Sequence, residues 1–155
     1  PAHKTGNQQD KVPPAGKIKH AARVILRDRQ QEDPLTQVET VSSAEELLQM
    51  QQQAQSVHMD DALLAYVTRL AEATRTHPLV LLGVSPRGAL AVCRMSKSRA
   101  FMYGRDYVLP EDVQAVFADV CAHRLILAPK ARIAETTAAD ILAELLQQVR
   151  RPDHI

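Results

Sequence analysis

Residues 81–90, LLGVSPRGAL, decide the fold that we expect for this chain, because a helix begins inside them. Ser85 is a favourable N-cap residue, and Pro86 suits the first helical position. Arg87 then falls in the first turn, where the helix dipole favours an acidic side chain. An arginine beside the N–H groups of a helix start can bind a phosphate or another anion. Gly88 carries no side chain, which permits close approach of the backbone.

Ser85, Pro86, Arg87 and Gly88 are therefore the candidate binding residues, and Arg87 is the candidate for chemistry. The alternative is that Arg87 forms an ordinary salt bridge or is simply exposed to solvent. Arg87 departs from the preference of a first helical turn for acidic residues, and such departures are enriched at functional sites, which favours the functional interpretation.

The composition predicts a mainly helical protein. The 155 residues are 45% hydrophobic but only 3% aromatic, with five glycines, which suits helix packing better than a β-sandwich. Nineteen basic and 18 acidic residues give a net charge of +1, which argues against a dedicated nucleic-acid binder. No long apolar run predicts a membrane span, and no signal pattern opens the chain, so we expect a cytoplasmic protein with two free cysteines.

Helix start and stop signals divide the chain. Residues 1–19 contain almost no large apolar side chains and predict a disordered linker or a cloning remnant. A short amphipathic helix is expected over residues 20–31, ended by Asp33-Pro34. Later helices are expected after Ser43, Asp60, Ser85, Leu109 and Thr137, with Gly104 ending the third and Arg151-Pro152 the last.

Two extended pieces complete the expected fold. Residues 105–108 and 123–127 predict short strands that could pair as a two-stranded β-ribbon. Such a ribbon is marginal alone and needs helices packed against it. Leu109, which has no side-chain oxygen, is a poor N-cap for the helix that follows.

The chain lacks the motifs of a complete nucleotide-hydrolysing site. Gly83 and Gly88 have the spacing of P-loop glycines, but Ala89-Leu90 stand where the lysine and hydroxyl residue belong. The six histidines show no zinc-site spacing, so no metal site is expected. This chain alone should therefore not turn over ATP.

Three segments resemble motifs of the MoxR-type AAA+ ATPases. Residues 82–90, LGVSPRGAL, resemble their LGASPRA segment; residues 104–113, GRDYVLPEDV, resemble GRDYVTPEDV; and residues 123–125 match HRL. Residues 33–35 and 41–48 are similar to the segment that leaves the ATPase core and enters the lid. The resemblance spans roughly residues 21–149. It implies a helical lid-type bundle at residues 42–150, preceded by a connector at 20–41 and followed by a tail at 151–155.

The resemblance also implies a function. Arg87 would be the sensor 2 residue, which contacts the γ-phosphate of ATP held with Mg²⁺ in the core and couples hydrolysis to lid movement. The expected partners are the chain's own core, neighbouring subunits of a ring and von Willebrand factor A-domain proteins, and the expected role is chaperone-like remodelling. We expect this chain by itself to bind neither ATP nor Mg²⁺ tightly. Two positions depart from the family pattern: Leu109 stands for Thr, and Gly88 for Ala.

Three alternatives stay open at this point. The chain could be a freestanding helical interaction module. It could be a small DNA-binding module, with a basic stripe of Arg94, Lys97, Arg99 and Arg105, although a solvated helix face explains the same residues and nucleic acid is not expected. The lid could also belong to the magnesium-chelatase ATPase subunits, which share this lid architecture.

Overall fold

The computed structural model describes residues 23, 24, 26 and 38–152. The chain divides into two units, Pro1–Ser43 and Ala44–Ile155, and the second contains the elements described below. The helix expected over residues 20–31 and the disorder expected over residues 1–19 lie outside the described residues, apart from helical positions 23, 24 and 26.

The described residues form six α-helices and one small antiparallel sheet, which confirms the mainly helical class. In chain order the elements are α1 (Ala44–Ser56), α2 (Asp61–Thr76), β1 (Val80–Leu82), α3 (Pro86–Met102), α4 (Pro110–Cys121), a 3₁₀ turn (Ala122–Arg124), β2 (Ile126–Leu127), α5 (Pro129–Ile133) and α6 (Ala138–Gln148). Within this part of the chain, no helix is both long and apolar enough to cross a membrane.

The helix starts follow the capping residues that the sequence predicts. The Asp60 carboxylate accepts a hydrogen bond from the Ala62 N–H at 2.7 Å at the start of α2. Thr137 and Asp140 form a reciprocal capping box at the start of α6. Each bond satisfies an N–H group that has no partner inside the helix, which fixes where the helix begins.

The core lies between α2, α3, α4 and α6. Helix α3 packs along α4 more extensively than any other pair of elements. Small side chains on α3 permit this approach, since Ser96 and Ala100 are fully buried. The largest buried side chains are Tyr66, Phe117, Leu63, Leu70, Ile141 and Leu142. Helix α1 does not join the core: it buries none of its residues, and Leu47, Leu48 and Met50 stay exposed.

The predicted ribbon exists, but its predicted pairing was wrong. Ile126–Leu127 pair with Val80–Leu82, not with residues 105–108. Residues 105–108 instead cross to the α1–α2 connection, where the His58 N–H donates to the Asp106 carbonyl at 2.8 Å and the Val108 N–H donates to the His58 carbonyl at 2.9 Å. Burial of Val108 holds this segment against the core and away from β2. Residues 122–124, of which 123 and 124 were expected to be extended, form the 3₁₀ turn.

Leu109 makes no side-chain cap bond to the helix that follows it, as the sequence predicts. The Asp112 carboxylate accepts a hydrogen bond from the Leu109 N–H at 2.9 Å, which supplies half of a capping box from the third helical position. The expected loss of the cap at Leu109 is therefore partly offset. Gly104 ends α3 as predicted, because its φ of +70° is readily adopted only by a residue without a Cβ.

Candidate functional site

The candidate site is the turn that leads from β1 into α3. Ser85 is the N-cap residue, with φ −74° and ψ 163°, and its Oγ accepts a hydrogen bond from the Gly88 N–H at 3.2 Å. The Ala89 N–H donates to the Ser85 carbonyl at 3.0 Å, and Pro86 occupies the first helical position. The start of this helix is therefore built as the sequence predicts.

The Arg87 side chain is exposed, and its guanidinium makes no hydrogen bond or ion pair with any residue that the structure describes. The first turn of α3 contains no acidic residue that could neutralise it. Of the two alternatives to a functional role, the salt bridge is absent from the described residues, whereas exposure to solvent is observed. The guanidinium charge and the positive end of the α3 dipole therefore lie at one exposed place, which favours an anion.

Two residues of α2 that sequence reasoning missed hold this turn. The Thr74 Oγ accepts a hydrogen bond from the Val84 N–H at 2.8 Å, and the Arg75 Nε donates to the Val84 carbonyl at 2.9 Å. These contacts join residues nine and ten positions apart. They depend on how α2 and the turn pack, so no local sequence pattern predicts them.

Gly83 and Gly88 permit this packing. A Cβ on Gly83 would lie 2.7 Å from the Arg75 backbone nitrogen and from the Thr74 hydroxyl oxygen. A Cβ on Gly88 would lie 2.8 Å from a methyl carbon of Val84, which is fully buried. Gly88 is therefore buried against its own turn, and the close approach predicted there is to Val84.

The arginine of the HRL segment also lies beside the start of α3. Arg124 Cδ is 3.5 Å from the Cβ position of Gly88, and the Arg124 Nε donates to the Val120 carbonyl at 2.8 Å. This hydrogen bond caps the C-terminal end of α4 and fixes the side chain. The motif thus joins the end of one helix to the beginning of another.

The GRDYVLPEDV segment forms an ion cluster around the buried carboxylate of Asp112, together with Arg99 of α3. Arg105 donates twice to the Asp112 carboxylate, at 2.7 and 2.8 Å, and the Arg99 Nε lies 3.4 Å from the same carboxylate. Burial acts to raise the pKa of Asp112, but the hydrogen bonds from Arg105 and the Leu109 N–H, with the charges of both arginines, hold that pKa below its usual range. Asp112 is thus an ionised structural residue.

This cluster also occupies much of the predicted basic stripe. Arg99 and Arg105 face Asp112, and the Lys97 ammonium donates to the Gln55 carbonyl at 3.1 Å. The Arg94 guanidinium is the one member without a partner among the described residues. The stripe is therefore mostly engaged in contacts within the lid, which differs both from a solvated face and from a row of free cations.

Other reactive groups lie apart from this turn. Cys121 is fully buried, and burial raises the pKa of its thiol to about 11; burial also raises the pKa of the Cys93 thiol. Such thiols are poor nucleophiles at neutral pH. Among the described residues, no group of three His, Cys, Asp or Glu side chains is placed to hold a metal ion.

Comparisons with known proteins agree with this architecture. The AAA lid domain family matches residues 72–145. The uncharacterized protein YeaC of Bacillus subtilis is 33% identical over 128 residues, which cover 83% of this chain and 40% of YeaC. Chaperone MoxR1 of Mycobacterium tuberculosis is 34% identical over 125 residues, which cover 75% of this chain and 33% of MoxR1. A solved candidate ATPase from Cytophaga hutchinsonii has a TM-score of 0.74 and 28% identity, over 87% of this chain and 44% of that chain.

The matched residues include the whole β1–α3 turn and the Arg105–Asp112 cluster. The chain therefore carries the helical lid domain of an AAA+ protein. Its similarity to MoxR1, together with the Ser85-Pro86-Arg87 segment, identifies it more narrowly as the lid of a MoxR-type AAA+ ATPase. The chain spans less than half the length of each of the relatives described above.

Proposed function

We propose that Arg87 is the sensor 2 residue of a MoxR-type ATPase, where it contacts the γ-phosphate of ATP bound in the core. The observation that carries this proposal is the free guanidinium of Arg87 at a helix start whose first turn holds no acidic residue. A positive side chain thus stands at a helix start, where negative charge is preferred, and no acidic group among the described residues compensates for it. An anion supplied by another domain would account for this arrangement.

The residues present fit one end of a nucleotide and no more. Arg87 offers a planar fork of donors to phosphate oxygens, and the α3 dipole adds a partial positive charge. When bound in the core with Mg²⁺, ATP would supply the phosphoryl group on which negative charge develops during transfer. Arg87 then acts by electrostatic stabilisation, since a positioned cation there costs no reorganisation during the reaction.

The surface around this turn supports contact with another domain. Leu81 is 72% exposed, Leu82 is 57% exposed, and Ile126, the partner of Leu82 across the ribbon, is 52% exposed. Leu90, one turn beyond Arg87 on α3, is also exposed. Leu82 and Ile126 are cross-strand partners, so these two apolar side chains are exposed side by side, as is typical of a surface that a partner covers. The ATPase core, or the core of a neighbouring subunit in a ring, is the partner that we propose.

The remaining functional assignments follow from this one. A phosphate contact made from the lid changes with the state of the nucleotide, so the lid can rotate as ATP is hydrolysed. We propose that this movement drives chaperone-like remodelling of partner proteins in the cytoplasm, including von Willebrand factor A-domain proteins. The relative from Mycobacterium tuberculosis is named a chaperone, which supports the chaperone part of this proposal.

ATP hydrolysis by the full-length product of the native gene tests the proposal, with wild type beside Arg87→Ala. We expect kcat to fall about tenfold or more while nucleotide binding is retained, because the lost contact acts on the transition state. Arg94→Ala is the matched control, since Arg94 is exposed on the same helix and its guanidinium has no partner among the described residues. Wild-type turnover by Arg87→Ala would overturn the proposal.

A further inference from the structure

The backbone of Val84 is held from both sides by neighbouring residues of α2. Its N–H donates to the Thr74 hydroxyl at 2.8 Å, and its carbonyl accepts from the Arg75 Nε at 2.9 Å. Val84 immediately precedes the N-cap residue Ser85, so its position sets where α3 begins. Both polar backbone groups of one residue thus depend on two adjacent side chains of another element.

Thr74 is suited to holding Val84 because its hydroxyl both donates and accepts a hydrogen bond. The side chain is completely buried, and its Oγ–H donates to the Ala71 carbonyl at 2.6 Å while the oxygen accepts from Val84. No solvent is close enough to replace the hydroxyl. Removing it would leave the buried Val84 N–H without a partner, which is costly for a backbone group.

Gly83 brings the two segments into direct backbone contact. A Cβ at that position would lie 2.7 Å from the Arg75 backbone nitrogen, so there is no room for the turn to shift toward α2. The hydrogen bonds to Thr74 and Arg75 oppose a shift in the other direction. The turn is therefore held on two sides, three residues before Arg87.

We infer that Thr74 and Arg75 are positioning residues that hold Arg87 at its phosphate contact through the Val84 backbone. This inference rests on the proposed function of Arg87. Electrostatic stabilisation depends steeply on placement, and small displacements of a catalytic group cost much of its effect. Thr74 and Arg75 need not touch nucleotide to act on turnover.

Four variants of the full-length gene product test the role of Thr74. Thr74→Val removes the hydroxyl at nearly constant volume, Thr74→Ser restores it, and Arg87→Ala gives the reference loss. Thr68→Val is the matched control, since Thr68 lies on the same helix and its hydroxyl donates only to the Leu64 carbonyl. We expect Thr74→Val to lower kcat about fivefold, as one lost hydrogen bond would, with KM nearly unchanged. Thr74→Ser and Thr68→Val should retain wild-type turnover.

Arg75 requires a separate comparison, because its exposed charge could act on the nucleotide directly. Arg75→Gln loses the charge but keeps an N–H donor at the ε position, whereas Arg75→Met loses both. Wild-type turnover by Arg75→Gln with a loss of kcat in Arg75→Met supports a role through the Val84 carbonyl. Equal losses of kcat in the two variants would overturn positioning by Arg75. Since Arg75 is exposed, these variants carry the test where Thr74→Val fails to fold.

The double variant Thr74→Val/Arg87→Ala separates positioning from a merely structural effect. If Thr74 acts through Arg87, the double variant is no slower than Arg87→Ala alone. Losses that multiply would overturn the inference. A slow Arg87→Ala beside a wild-type Thr74→Val defeats the positioning role alone, whereas wild-type turnover by Arg87→Ala defeats the proposed function and this inference together.

Discussion

Replacing Val84 and Gly88 by alanine, singly and together, gives the sharpest prediction about stability. The related family segment LGASPRA has alanine at both positions, whereas this chain has valine at the first and glycine at the second. A Cβ on Gly88 would meet a Val84 methyl carbon at 2.8 Å, roughly 1 Å inside ordinary carbon contact. The glycine is therefore matched to the larger residue one turn before it.

The three variants have different expected stabilities. Gly88→Ala gains up to about 1 kcal/mol of helix propensity but overpacks a buried contact at about 1–3 kcal/mol, for a net loss of about 1 kcal/mol. Val84→Ala loses two buried carbons and leaves a cavity, which costs about 2–3 kcal/mol. In the double variant the new methyl group fills part of that cavity without a clash. The double variant should thus lose about 1 kcal/mol, where additive effects would give about 3–4 kcal/mol.

Urea unfolding of residues 1–155, followed by far-UV circular dichroism, measures these differences. Val113→Ala is the matched control, because Val113 is equally buried but lies on α4. Its cycle with Gly88→Ala should be additive to within about 0.5 kcal/mol. A Gly88→Ala variant more stable than wild type, together with an additive cycle at Val84, would refute the reasoning, since the contact would then impose no limit.

Three further predictions concern the rest of the lid. Asp112→Asn leaves Arg99 and Arg105 facing an uncharged partner and should cost about 1–3 kcal/mol in the same unfolding assay, since both arginines are partly exposed to solvent. Because the folded-state pKa of Asp112 is lowered, its stabilising contribution is complete above the unfolded pKa of about 3.9 and is lost as pH falls through the lower folded value; the gap between wild type and Asp112→Asn should shrink only below about pH 4, and a gap that shrinks near neutrality would contradict this. Gly104→Ala should cost about 1 kcal/mol through backbone strain alone, since φ is +70° and no atom lies within 4 Å of the new Cβ; an unchanged urea midpoint would show that the turn relaxes freely. Native Cys121 should react with a thiol reagent at pH 8 far more slowly than in urea, because a pKa of about 11 leaves roughly one thiolate in a thousand, and equal rates would place it at the surface.

Local chemistry made much of this fold predictable from the sequence. Asp60, Ser85 and Thr137 each cap a helix because the capping bond joins groups two or three residues apart. The same holds for Gly104, because the positive φ at the end of a helix is set by the local backbone. Features set within one turn of helix can be read from a single segment.

Features set by packing between segments were not predictable in this way. The strand partner of Ile126–Leu127 depends on Val108 being buried and on the His58 backbone being available to the 105–108 segment. The hold of Thr74 and Arg75 on Val84 likewise appears only when α2 and the turn are packed together. The sequence marked the site through Arg87, but it did not reveal what positions that site.

The three family motifs differ in whether their arginine makes a side-chain hydrogen bond within the lid. In GRDYVLPEDV, the Arg105 guanidinium donates to the buried Asp112 carboxylate, and in HRL the Arg124 Nε donates to the Val120 carbonyl. Both of these arginines thus contribute a contact to the folded lid. Arg87 alone of the three has no partner among the described residues, at a place where the helix dipole opposes it. A free guanidinium alone is not distinctive, since Arg94 also has one. What distinguishes Arg87 is its place in the first turn of α3, and for that reason we propose that it binds an anion supplied by another domain.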